Sequence, residues 1–266
     1  MSVPGPLIAI AQVPMHWTLE ANLREIEAAM CFAADAGAAL CAFAELAVTG
    51  FHRGIVTEGV PAKVDPALQC IADWAAELEL AVAVGAPSFT PAGRFNSHVL
   101  IDEHGAVQAR VHKNGLTAPE ATFFQAGTGR PLATLAGLRC SAVICREIED
   151  HAAVLAELRD AAPALLFWPG QMRPDPDRPV VEPWAHVQDA MRLARDLGAW
   201  IVQSNWPNAL NRPEESALTG ASAIVAPDGR LVAQLPVQGF GVGLHALGDD
   251  TVRWVPLDAV HRTMQG

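Results

Sequence analysis

Three residues of this chain stand where apolar runs stop, and their types can make and break a covalent bond. Glu45 lies in FAELAVTGF (43–51), Lys113 closes AVQARVHK (106–113), and Cys145 closes CSAVIC (140–145), with Arg146 and Glu147 directly after it. A free thiol with a pKa of about 8.5 is only a few per cent thiolate at neutral pH, so a cysteine nucleophile needs a base. A carboxylate serves if desolvation raises its pKa, as apolar Phe43 and Leu46 beside Glu45 would do. An attacked carbonyl needs positive charge or N–H donors where its oxygen becomes anionic, and a fixed lysine supplies that. Base, nucleophile and oxyanion partner are therefore present without a histidine. Each also has a plainer reading taken singly: Glu45 as a turn cap, Lys113 as a solvated strand end, Cys145 as one more small core residue.

Such residues must be held at the ends of rigid elements. The apolar pattern supplies short β-like runs alternating with helical stretches. Strands are expected over 7–13, 38–46, 81–89, 139–145, 164–170, 199–207 and 239–247, and helices over 18–37, 67–80, 152–162 and 182–198. The segment 96–113 reads as a hairpin turning at His104-Gly105, and 220–236 as a second one around Pro227-Asp228-Gly229. Strand–helix units mixed with hairpins predict one or two mixed sheets covered by helices, in the α/β class. The Pro-rich run 171–183 reads as a surface loop near a site rather than a boundary, so residues 1–266 are expected to form a single domain.

Composition removes several classes of function. The chain is 51% apolar and 18% charged, which is incompatible with disorder. Its net charge of -11 argues against a general nucleic-acid binder, which carries a basic face. No stretch approaches the ~18 uninterrupted apolar residues of a membrane span. The opening MSVPGPLIAIAQVPM lacks a cationic leader pattern and reads as a first strand. Five cysteines without a CxxC pair argue against a disulfide framework or a zinc site and fit a reducing cytoplasm. GVGLHA (241–246) formally matches a dinucleotide fingerprint but has no helix after it, the nine histidines show no ligand spacing, and no GxSxG elbow occurs.

Beyond these residue types, whole blocks resemble the nitrilase superfamily of carbon–nitrogen hydrolases, which use a Glu–Lys–Cys triad. FAELAVTGF (43–51) is similar to the family's first block, FPELxLTGY. HKNGLTAPEATFFQAG (112–127) is similar to its second, with Glu120 as a second glutamate, Phe123-Phe124 as an aromatic pair and Gly127 as the closing glycine. AVICREIED (142–150) is the third, and LLFWPG (165–170), MRLAR (191–195), IVQSNWP (201–207) and GASAIVAPDGRLVAQ (220–234) follow the later blocks. The resemblance implies a four-layer α-β-β-α sandwich, paired into homodimers or larger homo-oligomers, that works without a metal or other cofactor. It implies that Glu45 takes the thiol proton, Cys145 forms a thioester, Lys113 and the Arg146 N–H hold the oxyanion, and Glu120 positions Lys113 and the substrate.

The chain also departs from that pattern. Ala44 replaces the proline before the first glutamate. Arg146 stands where relatives carry an aromatic or small residue, the later Pro-Glu is missing, and the spacing to Trp168-Pro169 is one residue longer. Arg146 has two readings: bidentate pairing with a substrate carboxylate, favouring an ω-amide or N-carbamoyl acid, or local pairing with Glu147, Glu149 or Asp150. Trp168, Trp206 and Phe124 likewise read as pocket lining or as packing. The expected protein is a cytoplasmic amidase of small non-peptide amides that releases ammonia, bound to neither nucleic acid nor membrane. An N-carbamoyl amino acid or amine hydrolase and a non-catalytic interaction protein on the same fold are the alternatives.

Overall fold

The computed structural model describes residues 5–174 and 181–263. Its first strand, β1 (Leu7–Gln12), shows why the fold needs four layers. Ile8 and Ile10 point to one face, Ala9 and Ala11 to the other, and all four are buried. A strand buried on both faces requires a packed layer on each side.

The chain continues through α1 (Leu19–Asp35), β2 (Leu40–Ala42), α2 (Ile55–Glu58), α3 (Pro61–Glu77), β3 (Ala81–Thr90), β4 (Gly93–Ile101) and β5 (Val107–His112). Then come β6 (Ala133–Leu135), β7 (Leu138–Ala142), α4 (His151–Leu158), β8 (Leu165–Gly170), α5 (Ala185–Leu197) and β9 (Trp200–Asn205). The remainder is β10 (Ala223–Val225), β11 (Leu231–Gln234), β12 (Gly241–Ala246), β13 (Arg253–Pro256) and α6 (Leu257–Thr263).

One sheet has seven strands in the order β13-β12-β1-β2-β3-β4-β5, and the other six in the order β11-β10-β9-β8-β7-β6. Parallel pairs occupy the middle of each, β1-β2-β3 and β7-β8-β9, with antiparallel strands at the flanks. The sheets face each other through Ile8, Ile10, Leu100 and Val111 on one side and Cys140, Phe167, Val202 and Ile224 on the other. Ile26, Met30, Ile71 and Val260 of α1, α3 and α6 cover the outer face of the first sheet against Ala9, Val82 and Val99. Val154, Leu158, Ala190 and Leu193 of α4 and α5 cover the second against Leu166, Trp168 and Ile201. Burying each large aliphatic side chain stabilises the fold by about 1.5–3 kcal/mol. The expected α-β-β-α sandwich is the observed one.

Element ends differ from expectation in a way that matters. β2 stops at Ala42 and β7 at Ala142, so Glu45 and Cys145 both lie three residues past a strand, in turns. Helix α3 begins at Pro61, because a proline in the first turn has no intrahelical N–H to lose. The short β6, β13, α2 and α6 are too brief to leave a periodic signal. GVGLHA is β12, a strand between β1 and β13. Of the Pro-rich run 171–183, residues 175–180 lie outside the described residues.

Candidate active site

Each chemistry-bearing residue is held by a separate device. After β2 the chain stays against β3 through the Phe43 N–H to Ala83 carbonyl bond (2.9 Å) and the Val48 N–H to Gly85 carbonyl bond (3.0 Å). Gly85 has to be glycine: a Cβ there would lie 2.2 Å from the Leu46 nitrogen and 2.5 Å from the Ala44 oxygen. This close backbone approach tucks Glu45 against the sheet, and Leu46 takes a left-handed conformation (φ 52°) to make the turn. From the other sheet, the Trp206 indole N–H donates to the Glu45 carbonyl at 2.8 Å.

Lys113 follows β5, and its N–H extends the ladder to the Asn96 carbonyl at 2.8 Å. Cys145 is reached after Val143 continues the β7–β8 pairing through Phe167. It too is left-handed (φ 53°) and opens a 3-10 turn over Cys145–Asp150. Its carbonyl accepts the indole N–H of Trp168 at 2.9 Å.

These devices converge on one buried cluster. The Lys113 ammonium donates to Glu45 Oε1 at 2.7 Å and to Glu120 Oε1 at 2.6 Å. Asn96 Nδ2 donates to the same two oxygens, at 2.7 and 3.3 Å. Glu120 is held from behind by the Thr117 N–H and hydroxyl, both 2.8 Å from Oε2. Glu45 Oε2, by contrast, is buried with no hydrogen-bond partner among the described residues. Lys113 and Glu45 are each only 1% exposed, so their charges interact with little screening by water.

The electrostatics follow from one cation between two carboxylates. Burial, reinforced by the charge of Glu120, raises the pKa of Glu45 above the usual carboxylate range, against the opposing pull of Lys113 and Asn96. Burial also works against ionised Glu120, but Lys113 and the Thr117 donors outweigh it and hold that carboxyl low. For Lys113 burial is overcome by Glu45 and Glu120, which keep the ammonium charged. Burial, and next the charge of Glu45, push the Cys145 thiol up to about 12, with Lys113 opposing. The resting arrangement is an ionised Lys113–Glu120 pair, a neutral thiol, and Glu45 with raised proton affinity and a free oxygen. That arrangement suits proton transfer from sulfur to Glu45 during attack rather than a standing thiolate.

The structure thus brings Glu45, Lys113, Glu120 and Cys145 together. The Arg146 guanidinium pairs instead with Glu149 at 3.1 Å and Asp150 at 3.7 Å, the local pairing that was one of its two readings. Trp168 is fully buried among Val143, Ile148 and Met172, and reaches Cys145 through the carbonyl. Sequence reasoning passed over Asn96 and Thr117, and read Glu147 only as a neighbour of the cysteine and a partner for Arg146. Asn96 had one signal: an amide side chain opening the apolar run NSHVLI. Among the described residues, no group of three or more His, Cys, Asp or Glu could hold a metal ion, and no helix is long and apolar enough to cross a membrane.

A two-sheet sandwich with an acid–lysine–acid cluster beside a cysteine defines a class, and comparison with known proteins places the chain in it. The family model for carbon-nitrogen hydrolases matches residues 7–254, and the chain belongs to that family. In fold it is similar to an amidase from Nesterenkonia sp., with 22% identity, a TM-score of 0.78, and coverage of 99% of this chain and 98% of that one. A mutant of the Nesterenkonia sp. AN1 amidase carrying the acetamide moiety of fluoroacetamide covalently at its active-site cysteine matches with a TM-score of 0.77 at 22% identity, covering 97% and 93%. Glutamine-dependent NAD+ synthetase from Acinetobacter baumannii matches with a TM-score of 0.76 at 19% identity, over 94% of this chain and 47% of that one. No curated protein sequence matches the chain.

Proposed function

We propose that this carbon–nitrogen hydrolase cleaves a small non-peptide amide to a carboxylic acid and ammonia through a thioester on Cys145. The observation that carries the reading is Glu45 Oε2, a buried carboxylate oxygen without a partner among the described residues, in the cluster whose charges act on the Cys145 thiol. The likeness in fold to an amidase whose active-site cysteine takes up the acetamide moiety of fluoroacetamide covalently adds support for a reactive thiol here.

In the first half-reaction the thiol proton passes to Glu45 as the Sγ–C bond forms. The oxygen of the tetrahedral intermediate lies between the Lys113 ammonium and the Arg146 N–H, which has no acceptor within the first turn of its 3-10 helix. Glu45 returns the proton to the amide nitrogen, the C–N bond breaks, and ammonia leaves. Water then gives a proton to Glu45 while its oxygen attacks the thioester. The C–S bond breaks, and sulfur recovers the proton. Glu120 keeps Lys113 charged and aimed throughout, and the Trp168 indole N–H fixes the Cys145 carbonyl. The five unpaired cysteines fit a reducing cytoplasm for this chemistry.

The test is ammonia release from a panel of neutral, ω-carboxylated and N-carbamoylated amides, beside Cys145→Ala. Release from wild type that falls by a factor on the order of 10^4 in the variant is the expected result. Absence of release from every compound by folded wild type would overturn the reading in favour of a binding role. The panel also tests N-carbamoyl hydrolysis. For an N-carbamoyl amino acid, that second reading has Arg146 leave Glu149 and Asp150 for the substrate carboxylate, so Arg146→Ala should then lose anionic substrates selectively.

A further inference from the structure

The residues assigned to the chemistry come from different sheets. Lys113 leaves the edge strand β5 of the seven-stranded sheet, whereas Cys145 follows β7 of the six-stranded one. Sheets packed through side chains alone can slide slightly, because dispersion contacts are not directional. The oxyanion donors of the proposed site must nevertheless stay in register across that seam.

One carboxylate spans it. Glu147 is fully buried, and its two oxygens accept four hydrogen bonds. Oε1 takes the N–H groups of Asn114 (2.5 Å) and Gly115 (3.0 Å), the two residues directly after Lys113. Oε2 takes the N–H of Ile144 (2.6 Å), the residue directly before Cys145, and Nη1 of Arg130 (2.9 Å). Arg130 is itself buried, and the same Nη1 reaches the Ala142 carbonyl at 3.2 Å at the end of β7. Its Nε lies 2.9 Å from Glu157 Oε2, an ion pair without hydrogen-bond alignment. The bond to Ile144 is an ordinary helix-start contact, an N3 glutamate reaching back to the residue before the turn. The bonds to Asn114 and Gly115 have no such local purpose, since they lie more than thirty residues away in sequence.

We propose that Glu147 is a positioning residue that locks the Lys113 strand end to the Cys145 turn, so that Lys113 and the Arg146 N–H face the same oxyanion. The proposal rests on the roles given above to Cys145 and Lys113. It assigns Glu147 no contact with substrate.

The experiment compares Glu147→Gln and Glu147→Asp with wild type in two reactions. Amide hydrolysis needs the oxyanion donors in register, whereas alkylation of Cys145 by iodoacetamide forms no oxyanion. Alkylation is followed on the Cys145 peptide by mass spectrometry, because exposed Cys70 also reacts. Gln keeps the shape but turns a donor amide toward N–H groups. Asp keeps the charge and the short reach to Ile144 but cannot also span to Asn114. Both variants should lose about 100-fold in kcat with KM changed less than about threefold, the scale of a displacement of about 1 Å at a reacting centre, while alkylation slows less than about fivefold. Near-wild-type kcat in either folded variant would overturn the proposal, as would equal losses in hydrolysis and alkylation. Failure of both variants to fold would overturn it too, making the carboxylate a requirement of the fold rather than of register. Inactive wild type would instead condemn the reading of Cys145 and Lys113, so the two failures are distinct.

Discussion

Glu45 and Glu147 are both buried carboxylates beside the Cys145 turn, yet they are furnished in opposite ways. Both oxygens of Glu147 are filled by four donors, three of them rigid backbone N–H groups. Glu45 has one oxygen filled by Lys113 and Asn96, and the other has no partner. A buried acceptor without a donor costs about 1–3 kcal/mol. The fold tolerates that cost at Glu45 and avoids it at Glu147. The lesson is that a buried charge fixes geometry when its hydrogen bonds are complete, and becomes a proton acceptor when one place is left open.

Exchanging the charge of the incomplete member should have the largest effect on rate. Glu45→Gln removes the proposed proton acceptor while keeping the amide-sized side chain against Lys113. Ammonia release should fall by a factor on the order of 10^3 to 10^4 with the fold intact by circular dichroism, at the upper end of what a positioned base contributes. The cation of the complete cluster, Arg130, should register mainly in stability. Arg130→Met leaves the Glu147 charge on its backbone donors without a cation, and breaking such a buried pair costs about 3–5 kcal/mol. Urea denaturation should record that loss, while kcat at a temperature well below unfolding should fall much less than in Glu45→Gln.

A smaller effect sharpens the contrast. Asn96→Ala removes one of two donors from Glu45 Oε1 and so raises the pKa of Glu45 further. With Glu45 as the proposed base working deprotonated, the acid limb of kcat/KM should lie above the ordinary carboxylate range of about 4.3 and move to higher pH in the variant. The sign is diagnostic: an unmoved or lowered limb would mean that Glu45 does not set it. Activity above the limb should drop by about tenfold or less, the scale of one hydrogen bond.

How much of this was legible beforehand depends on where the signal lies. Glu45, Lys113 and Cys145 were visible because charged or reactive residues end apolar runs, and the resemblance to the family's second block added Glu120. The runs themselves misled by extending the strands to Glu45 and Cys145. Hydrophobicity records burial, and a buried turn reads like a buried strand. The left-handed residues Leu46 and Cys145 are not glycine, so no sequence cue marked either turn. Asn96 was obscured by lying inside a plausible strand. Glu147 was noticed only as a neighbour of the cysteine, while its partners Asn114, Gly115 and Arg130 lie elsewhere in the chain.

The sequence alone determined the mixed α/β class and the chemical inventory. Short continuous apolar runs require strands buried on both faces, helical periodicity requires helices with one apolar side, and those patterns are local. Tertiary structure alone decided which oxygens are filled and which is left open. A hydrogen bond depends on tenths of an ångström between groups from different sheets, and that distance is fixed only when both sheets have packed. Gly85 joins the two levels: a single residue type, written in the sequence, becomes necessary only where the Glu45 turn passes 2.2 Å from the place its Cβ would occupy.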